Sequence, residues 1–351
     1  MPFKSVRAAG LWRSYPLRLG VLAIGWFVLI SALHVHLNSE HEQRKVVKMG
    51  YMPVITNLAA PLLDAASLHG TSPIRFRAVK FASFAEMAEA LRNNKIQAAF
   101  IIAPLSIVLH QQGEDVKVVY IGNRHESTLV ARKGLNIHSV KDLVGHTVAV
   151  PMRYSGHNLE LLQLVNDAGI ADRVKIVEMN PPDMASALAT GSLDAYFVGE
   201  PFAAQTLKTK AANLVFYVEK VWPGFICNLL LVRQQFIESD SAAVQELVQG
   251  AARSGLWAQK NRSQAVRIAA RYWGQPVDLV DYAMNTPPDR IVFNRFVPIQ
   301  EEIQHIADMM LRFGLLKKAD IEGLIDDRFA RTADLTAISD LSSILSVSSS
   351  K

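Results

Sequence analysis

The loop RYSGHN at positions 153–158 holds the densest group of residues that could bind a charged molecule. Its serine hydroxyl, its glycine and the free amides of a following helix start suit an anion or a polar head group. Arg153 can pair with a carboxylate, a phosphonate or a sulfonate. The alternative is an ordinary helix-capping loop whose side chains are solvated. We interpret the loop as part of a ligand site.

Three other segments are placed like this loop, since each follows a strand candidate or opens a helix: Pro53–Asn57, Ala103–Ser106 and Gly199–Phe202. Parallel strands bring such ends to one edge of a sheet, near helix N-termini. Glu200 stands between glycine and proline, where it can accept from a ligand donor or close a salt bridge across a cleft; a surface glutamate is the alternative. The predicted ligand-binding residues are Asn57, Pro104, Ser106, Arg153, Ser155, His157, Asn158, Glu200 and Phe202.

Enzymatic templates are missing from the sequence. It contains no GxSxG, HExxH, Walker loop or GxGxxG in a strand–helix context. The single cysteine, Cys227, excludes an intrachain disulfide and a cysteine-rich metal site, and we interpret it as a buried small apolar residue. The sequence therefore predicts no catalytic residue, no metal site and no cofactor, and it favours a binding protein over an enzyme.

The elements that must position these residues alternate between strand and helix. Val46–Gly50, Ile96–Ile102 and Val116–Ile121 are short apolar strand candidates. Ser83 begins a helix with a capping-box pattern, because a glutamate follows it three residues later at Glu86. From residue 241 onward the pattern is helical. This alternation predicts an α/β fold with parallel sheets.

An internal repeat points to two similar lobes. Met87–Pro104 reads MAEALRNNKIQAAFIIAP and Met184–Pro201 reads MASALATGSLDAYFVGEP, and the two align without a gap at an offset of 97. Each is a helix, a turn, a strand and then a proline at the carboxyl end of the strand. Two copies are too few for a solenoid. The repeat therefore predicts two lobes with a ligand cleft between them; chance similarity of two helix–strand units is the alternative.

The charge of the chain is concentrated at its N-terminus. Of the formal net charge of +5, residues 1–45 contribute +4, since six cations stand against two carboxylates. The rest of the chain is close to neutral, which argues against nucleic-acid binding. Four cations precede the uncharged apolar run Leu19–Leu33. This pattern predicts an uncleaved signal-anchor or transmembrane helix within residues 1–45, with its basic end in the cytoplasm.

The stretch GSLDAYFVGEPFAAQ at Gly191–Gln205, with GYMPVITNLAAPLLDAA and ALRNNKIQAAF upstream, resembles the nitrate/sulfonate/taurine (NitT/TauT) family of ABC-transporter solute-binding proteins. The resemblance covers Val46 to Phe313. It implies a two-lobed periplasmic-binding-protein-like fold of type II, which holds a nitrate, sulfonate, carboxylate or pyrimidine-like ligand. It also implies an ABC permease as partner and a place at the extracytoplasmic face of the inner membrane, here anchored by the N-terminal helix.

Family members insert the second lobe into the first, which gives expected domain boundaries. We expect a signal-anchor and linker at 1–45, the first part of lobe 1 at 46–128, lobe 2 at 129–227, the return of lobe 1 with C-terminal helices at 228–334, and a fraying Ser-rich tail at 335–351. An alternative function is an enzyme on the same fold, in pyrimidine, thiamine-precursor or menaquinone-precursor synthesis. A third possible function is a tethered ligand-sensing ectodomain. Only about seventeen residues precede the expected span, which leaves no room for a cytoplasmic output domain.

Overall fold

The computed structural model describes residues 15–39, 44–69 and 72–345 of the 351-residue chain. The strands are β1 (Lys45–Tyr51), β2 (Ile74–Lys80), β3 (Ala98–Ile102), β4 (Val116–Ile121), β5 (Ser127–Arg132), β6 (Thr147–Val150), β7 (Lys175–Glu178), β8 (Ala195–Gly199), β9 (Ala212–Tyr217) and β10 (Asn228–Arg233). The helices are α1 (Tyr15–Ser39), α2 (Ala59–His69), α3 (Phe84–Arg92), α4 (Ala103–Gln111), α5 (Gly156–Asp167), α6 (Pro181–Ala189), α7 (Phe202–Lys208), α8 (Gln234–Ser239), α9 (Ser241–Lys260), α10 (Arg262–Trp273), α11 (Val277–Asn285), α12 (Gln300–Arg312) and α13 (Arg328–Arg331). Two compact units result, Met1–Lys45 and Val46–Lys351.

The first unit contains helix α1, and its described side chains, at positions 19–35, are exposed. No helix in the described part of the chain is both long and apolar enough to cross a membrane. The uncharged run Leu19–Leu33 extends for only about 22 Å at 1.5 Å per residue, whereas a hydrocarbon core is about 30 Å thick. The predicted transmembrane signal-anchor is therefore not supported. Residues 1–14, which contain three of the four cations that precede the apolar run, lie outside the described residues.

The second unit contains two five-stranded sheets. The first sheet has the order β2-β1-β3-β10-β4, and the second has the order β7-β6-β8-β5-β9. We call each sheet with its packed helices a lobe, the first and the second. The apolar central strands β3 and β8 are buried along their whole length, as expected for strands covered by helices on both faces. The predicted two-lobed α/β architecture is confirmed.

One strand in each sheet corrects the prediction of parallel sheets. β10 runs antiparallel to both β3 and β4, and β5 runs antiparallel to both β8 and β9. Each of these strands enters its sheet directly from the other lobe, so it arrives at the opposite end from the strands that follow helices. The apolar run Leu229–Val232 specifies burial of β10 but not its direction.

The chain crosses between the lobes twice. Residues 122–126 form the outward crossing, which joins β4 to β5, and residues 218–227 form the return crossing, which joins β9 to β10. The two crossings touch through an antiparallel bridge between Arg124 and Ile226. The domain boundaries expected from the sequence stay a prediction.

The two repeated segments occupy matching places. In Met87–Pro104 the end of α3 leads through a turn into β3, and in Met184–Pro201 α6 leads into β8. β3 and β8 each stand third in their sheet. The repeat in the sequence therefore corresponds to a repeat in the fold.

The Ser-rich tail is packed rather than frayed up to Leu345. The guanidinium of Arg253, on α9, donates to the carbonyl oxygens of Asp334, Thr336 and Ser343 over 2.7–3.0 Å. Ile344 is buried in the core of the first lobe. The prediction of a fraying tail is wrong for residues 335–345, because a buried arginine supplies donors to its backbone; residues 346–351 lie outside the described residues.

Candidate functional site

Loops from the two lobes meet where central strands end. Ile55, in the turn after β1, donates its backbone N–H to the carbonyl oxygen of Glu200, which follows β8, over 2.9 Å. Ala103, after β3, donates its N–H to the carbonyl oxygen of Cys227 over 2.9 Å. The carboxyl ends of β1, β3 and β8 thus gather at the boundary between the lobes. We call the buried polar residues at this boundary the interlobe floor: Asn57, Glu126, Ser127, His157, Glu200, Cys227 and Asn228.

The Glu200 carboxylate is fully engaged inside the protein. Its Oε1 accepts from the Thr128 hydroxyl over 2.8 Å, and its Oε2 accepts from the backbone N–H of Ala204 over 2.8 Å. Burial raises the pKa of Glu200 to about 7, and the nearby Arg290 guanidinium, 3.9 Å from Oε1, opposes that shift. Glu200 therefore ties β5 to α7 in this structure.

Asn57 joins the turn after β1 to the start of β10 within the first lobe. Its Oδ1 accepts from Asn228 Nδ2 over 2.7 Å, and its Nδ2 donates to the carbonyl oxygen of Met52 over 3.1 Å. The side chain is fully buried. Because an unpaired buried amide is costly, these bonds fix the turn after β1 against the start of β10.

His157 lies beside a serine hydroxyl that already donates to another acceptor. His157 Nε2 lies 2.9 Å from Ser127 Oγ, and Ser127 donates its hydroxyl hydrogen to Glu126 Oε1 over 3.0 Å. A serine has only one hydrogen to donate, so Nε2 must be the donor in its bond to Ser127. Burial lowers the pKa of His157 to about 3, which keeps the ring neutral. A base that activates serine must accept its proton, so this arrangement is not a nucleophile pair.

The thiol of Cys227 is equally inert. It is 4% exposed and donates to Asn228 Oδ1 over 3.2 Å. Burial raises the pKa of Cys227 well above its usual range, and the Glu126 carboxylate adds to the shift. Reactive cysteines need the opposite shift, toward the thiolate. The structure places Cys227 where the sequence predicts it, as a buried small residue.

The neutral, buried state of His157 predicts a pH effect on stability. The unfolded chain gains a proton at His157 as the pH falls through about 6.5, whereas in the native protein His157 gains this proton only near pH 3. The stabilisation is thus present above pH 6.5 and is lost as the pH falls toward 3. Between pH 7 and pH 4 we expect the free energy of unfolding to fall less in His157→Gln than in the wild type. The two decreases should differ by at least about 1 kcal/mol.

Urea unfolding at the two pH values measures this difference. The raised pKa of Glu200 acts in the opposite direction, since its stabilisation is present below about pH 4.5 and is lost as the pH rises through 7. Glu200 is present in both proteins, so its contribution cancels in the comparison. Equal pH slopes for the wild type and His157→Gln would show that His157 is not the buried neutral group described here.

The other predicted site residues serve local structure. Ser155 Oγ caps α5 by accepting from the N–H of Asn158 over 3.1 Å, and it donates to the carbonyl oxygen of Met152 over 2.7 Å. Ser106 donates to the carbonyl oxygen of Ala103, one helical turn earlier, over 2.6 Å. Pro104 and Phe202 are buried at the starts of α4 and α7. Their role toward a ligand stays a prediction.

Arg153 is the exception, because its side chain is 61% exposed. Its backbone N–H and its Nε donate to the two carboxylate oxygens of Glu178 over 2.8 and 3.0 Å. Exposed ion pairs of this kind contribute little to stability, so the guanidinium can exchange partners at low cost. Glu178 is also part of the wall of a cavity.

This cavity, of about 300 Å³, opens between the two lobes. The first lobe contributes Ser83, Phe84 and Ala85 at the start of α3, and the second lobe contributes Pro151, Met152 and the segment 178–181. The volume is at the lower end of the usual range for small-molecule sites. We call this cavity the cleft.

The cleft offers a few donors and an apolar wall. The first backbone N–H groups of α3 have no partner within the helix, and the Ser83 hydroxyl takes only that of Glu86, over 3.2 Å. Two prolines at the start of α6 remove its first donors, which leaves the Asn180 side chain there. Met152 supplies apolar surface. This combination suits a small molecule with one anionic end and a short apolar chain.

Sequence reasoning missed most of the cleft wall. The capping box identified Ser83 as a helix start, and Asn180 stands before two prolines, a pattern typical of a helix start. Neither pattern reveals that the two starts face each other. That information lies in the long-range packing of the lobes.

Comparison with known proteins agrees with this architecture. The model of the NMT1-like family matches residues 40–272, more than half of the chain. A putative aliphatic sulfonates-binding protein of Bacillus subtilis (strain 168) is 25% identical over 313 residues, which cover 84% of this chain and 90% of the relative. Another protein so described, from Escherichia coli (strain K12), is 27% identical over 259 residues, which cover 69% and 76%.

Solved structures show the same fold. The ligand-binding component of an ABC-type import system from Staphylococcus aureus, solved with zinc bound, superposes with a TM-score of 0.75 at 21% identity, covering 84% of this chain and 100% of that one. A desulfurization enzyme superposes with a TM-score of 0.60 at 16% identity, covering 83% and 99%. At these identities the likenesses establish the fold, which both binding proteins and an enzyme use.

Proposed function

Because the chain belongs to the NMT1-like family, we propose that it is the solute-binding protein of an ABC importer and captures small organic anions such as alkanesulfonates. The resemblance to NitT/TauT solute-binding proteins noted in the sequence is confirmed, since relatives that span most of the chain are described as putative aliphatic sulfonates-binding proteins. The observation that carries the proposal is the cleft between the lobes, at the same edge where the strands of both sheets end.

In this proposal the anionic group lies against the start of α3. The amides of Phe84 and Ala85, which have no acceptor among the described residues, carry the positive end of the helix dipole, and Asn180 supplies a side-chain amide from the other lobe. The alkyl chain packs on Met152. Arg153 moves from Glu178 toward the anion, since it gives up only an exposed ion pair.

The interlobe floor has a supporting role in this account. Asn57, His157 and Glu200 hold the loops after β1, β6 and β8 at fixed positions through buried hydrogen bonds. They support the lobes while the lining of the cleft contacts the ligand. Lobe closure around a solute is the expected motion, and the two crossings are the expected hinge.

An enzyme on this fold is the second candidate, because a desulfurization enzyme shares the fold. The chemistry of the floor argues against it. The Cys227 thiol stays protonated, and His157 donates to Ser127 instead of accepting from it. We propose that the protein binds its ligand without converting it and releases it to a permease at the extracytoplasmic face of the membrane.

Thermal unfolding with a panel of nitrate, alkanesulfonates, carboxylates and pyrimidines tests the proposal. We expect an alkanesulfonate of two to six carbons to stabilise the protein by about 2.7 kcal/mol at a concentration of about 100 times its Kd. The alcohol of the same chain length is the matched control and should give no stabilisation. If no anion of the panel stabilises the protein more than its neutral counterpart, the proposed ligand class is wrong.

A further inference from the structure

A first-lobe arginine, Arg290, is inserted into the second lobe. It stands in the segment between α11 and α12, where its neighbours Ile291 and Phe293 pack in the core of the first lobe. Val292 forms an antiparallel bridge to Arg124 on the outward crossing. The backbone at Arg290 is therefore held by the first lobe, while its side chain is only 3% exposed.

The partners of the Arg290 guanidinium belong to the second lobe. Nε donates to both carboxylate oxygens of Glu219, just after β9, over 3.1 and 3.2 Å. Nη2 donates to the carbonyl oxygen of Ser127, the first residue of β5. The ring of Tyr217, the last residue of β9, has its centroid 4.2 Å from the guanidinium carbon, within the range of a cation–π contact. We call Ser127, Glu200, Tyr217 and Glu219 the socket of Arg290.

One donor of this guanidinium has no acceptor in the described part of the chain. Arg290 Nη1 is buried without a hydrogen-bond partner, and Glu200 Oε1 lies 3.9 Å from it. The two side chains are 3% and 4% exposed, so solvent and salt screen their attraction only weakly. Because an unpaired buried donor is costly, the stability of the inserted guanidinium depends on the negative charge of Glu200.

The protonation of Glu200 and the insertion of Arg290 are coupled. Burial raises the pKa of Glu200 to about 7, and the charge of Arg290 is the largest effect that opposes this shift. Arg290 thus favours the ionised carboxylate. By reciprocity, the ionised carboxylate favours the inserted arginine by the same free energy.

We propose that Arg290 is a latch between the lobes, and that its hold on the second lobe depends on the protonation of Glu200. Rotation of the second lobe away from the segment 286–299 withdraws the guanidinium and leaves a buried carboxylate without it. An ionised Glu200 opposes this withdrawal more strongly than a protonated one. Since Glu200 is ionised above about pH 7 and protonated below it, the latch is stronger at pH 8 than at pH 5.5. The bonds to Glu219 and Ser127 remain, so the latch is weakened at the lower pH but not lost.

Other titratable groups also face Glu200 or Arg290. Burial raises the pKa of Glu126 and those of two tyrosines, and it lowers the pKa of a histidine. All of them are still present in Glu200→Gln, so this variant separates the contribution of Glu200 from theirs. The groups are His125, Glu126, Tyr196, Tyr217 and Glu219.

The latch has a consequence for solute capture, which rests on the proposed function. A solute bound between closed lobes favours the inserted Arg290 and therefore the ionised Glu200. By linkage, binding near pH 7 releases part of a proton, and affinity falls as the pH falls below 7.

Fluorescence energy transfer between the lobes tests the latch without any solute. Lys95→Cys and Lys141→Cys place labels at exposed positions of the first and the second lobe, while the buried, protonated thiol of Cys227 stays unlabelled. In the labelled protein we expect the distribution of transfer efficiencies to change reversibly between pH 8 and pH 5.5. Arg290→Met should depart from the pH 8 distribution even at pH 8. Glu200→Gln, which is neutral and of the same shape, should give one distribution at both pH values.

Two further variants make this test specific. Burial raises the pKa of Glu160, on α5, to about 7 as well, but Glu160 is not part of the socket, so Glu160→Gln should keep the full pH response. Arg290→Lys keeps a positive charge near Glu200 and should keep part of it, which a merely structural role of Arg290 would not predict. An unchanged distribution in the wild type, or a pH response that persists in Glu200→Gln, would overturn the proposal even if Arg290→Met fails to fold.

Titration calorimetry with the best-binding alkanesulfonate, in buffers of different ionisation enthalpy, measures the proton release. The affinity of the wild type should fall at least about threefold from pH 8 to pH 5.5, and that of Glu200→Gln should not change with pH. A solute that binds without proton release would contradict the latch and leave the solute-binding function intact. Failure of every solute to bind would contradict that function, while the energy-transfer experiment would still decide the latch.

Discussion

Replacing Met152 by glutamate is expected to weaken binding of the best alkanesulfonate at least about 100-fold, or by about 2.7 kcal/mol. Met152 lies in the wall of the cleft, next to the segment that contains Glu178. The substitution replaces apolar surface with a carboxylate, so the ligand loses its apolar contact and meets a like charge in a confined space. Titration calorimetry measures the effect, and thermal unfolding checks that the variant is folded.

Two variants make this experiment specific. Met152→Leu keeps the volume and the apolar character, and it should bind within about threefold of the wild type. Met284→Glu makes the same chemical change on α11, at a partly buried methionine outside the cleft lining, and it should leave affinity unchanged. If Met152→Glu bound the alkanesulfonate with wild-type affinity, the ligand would have to bind outside the cleft.

The largest effect on stability is expected from Arg124→Met. The Arg124 side chain is 1% exposed and donates to the Glu302 carboxylate and to the carbonyl oxygens of Gly224 and Arg295 over 2.6–2.9 Å. Methionine removes every one of these donors and leaves the two carbonyl groups without them at the hinge. We expect the free energy of unfolding to fall by about 3–5 kcal/mol, as measured by urea denaturation.

Arg262→Met is the matched control for this stability effect. Arg262 pairs with Asp289, but their side chains are 42% and 81% exposed. An exposed pair contributes about 0–1 kcal/mol, so the control should unfold almost like the wild type. A loss in Arg124→Met that is no greater than the loss in Arg262→Met would show that the crossings are not held together by this buried arginine.

The fold was predictable because its main feature is repeated in the sequence. The match between Met87–Pro104 and Met184–Pro201 indicated two lobes, and the helix and strand patterns placed β3, β4 and α3 close to their observed bounds. The antiparallel direction of β5 and β10 was not predictable, because an apolar run specifies burial and not direction. The packed tail was missed as well, since its stability depends on Arg253, which lies about 90 residues away in sequence.

The sequence predicted where some of the candidate residues lie in the fold, but not what they contact, and that they bind a ligand stays a prediction. Asn57, His157 and Glu200 do lie where strands end at the boundary between the lobes. Their polar groups, however, are bonded to residues distant in sequence, such as His157 to Ser127 and Asn57 to Asn228. A sequence shows that a polar group is present, but not whether it already forms a hydrogen bond with another part of the chain. The cleft wall, with Ser83 and Met152, depends on that same long-range packing.

A crystal structure of the protein with its best-binding alkanesulfonate tests the central claim most directly. We predict that the sulfonate oxygens lie within hydrogen-bond distance of the first amides of α3, and that the alkyl chain contacts Met152. Arg153 should have turned from Glu178 toward the ligand. An alkanesulfonate bound on the outer surface with the cleft empty would contradict the account.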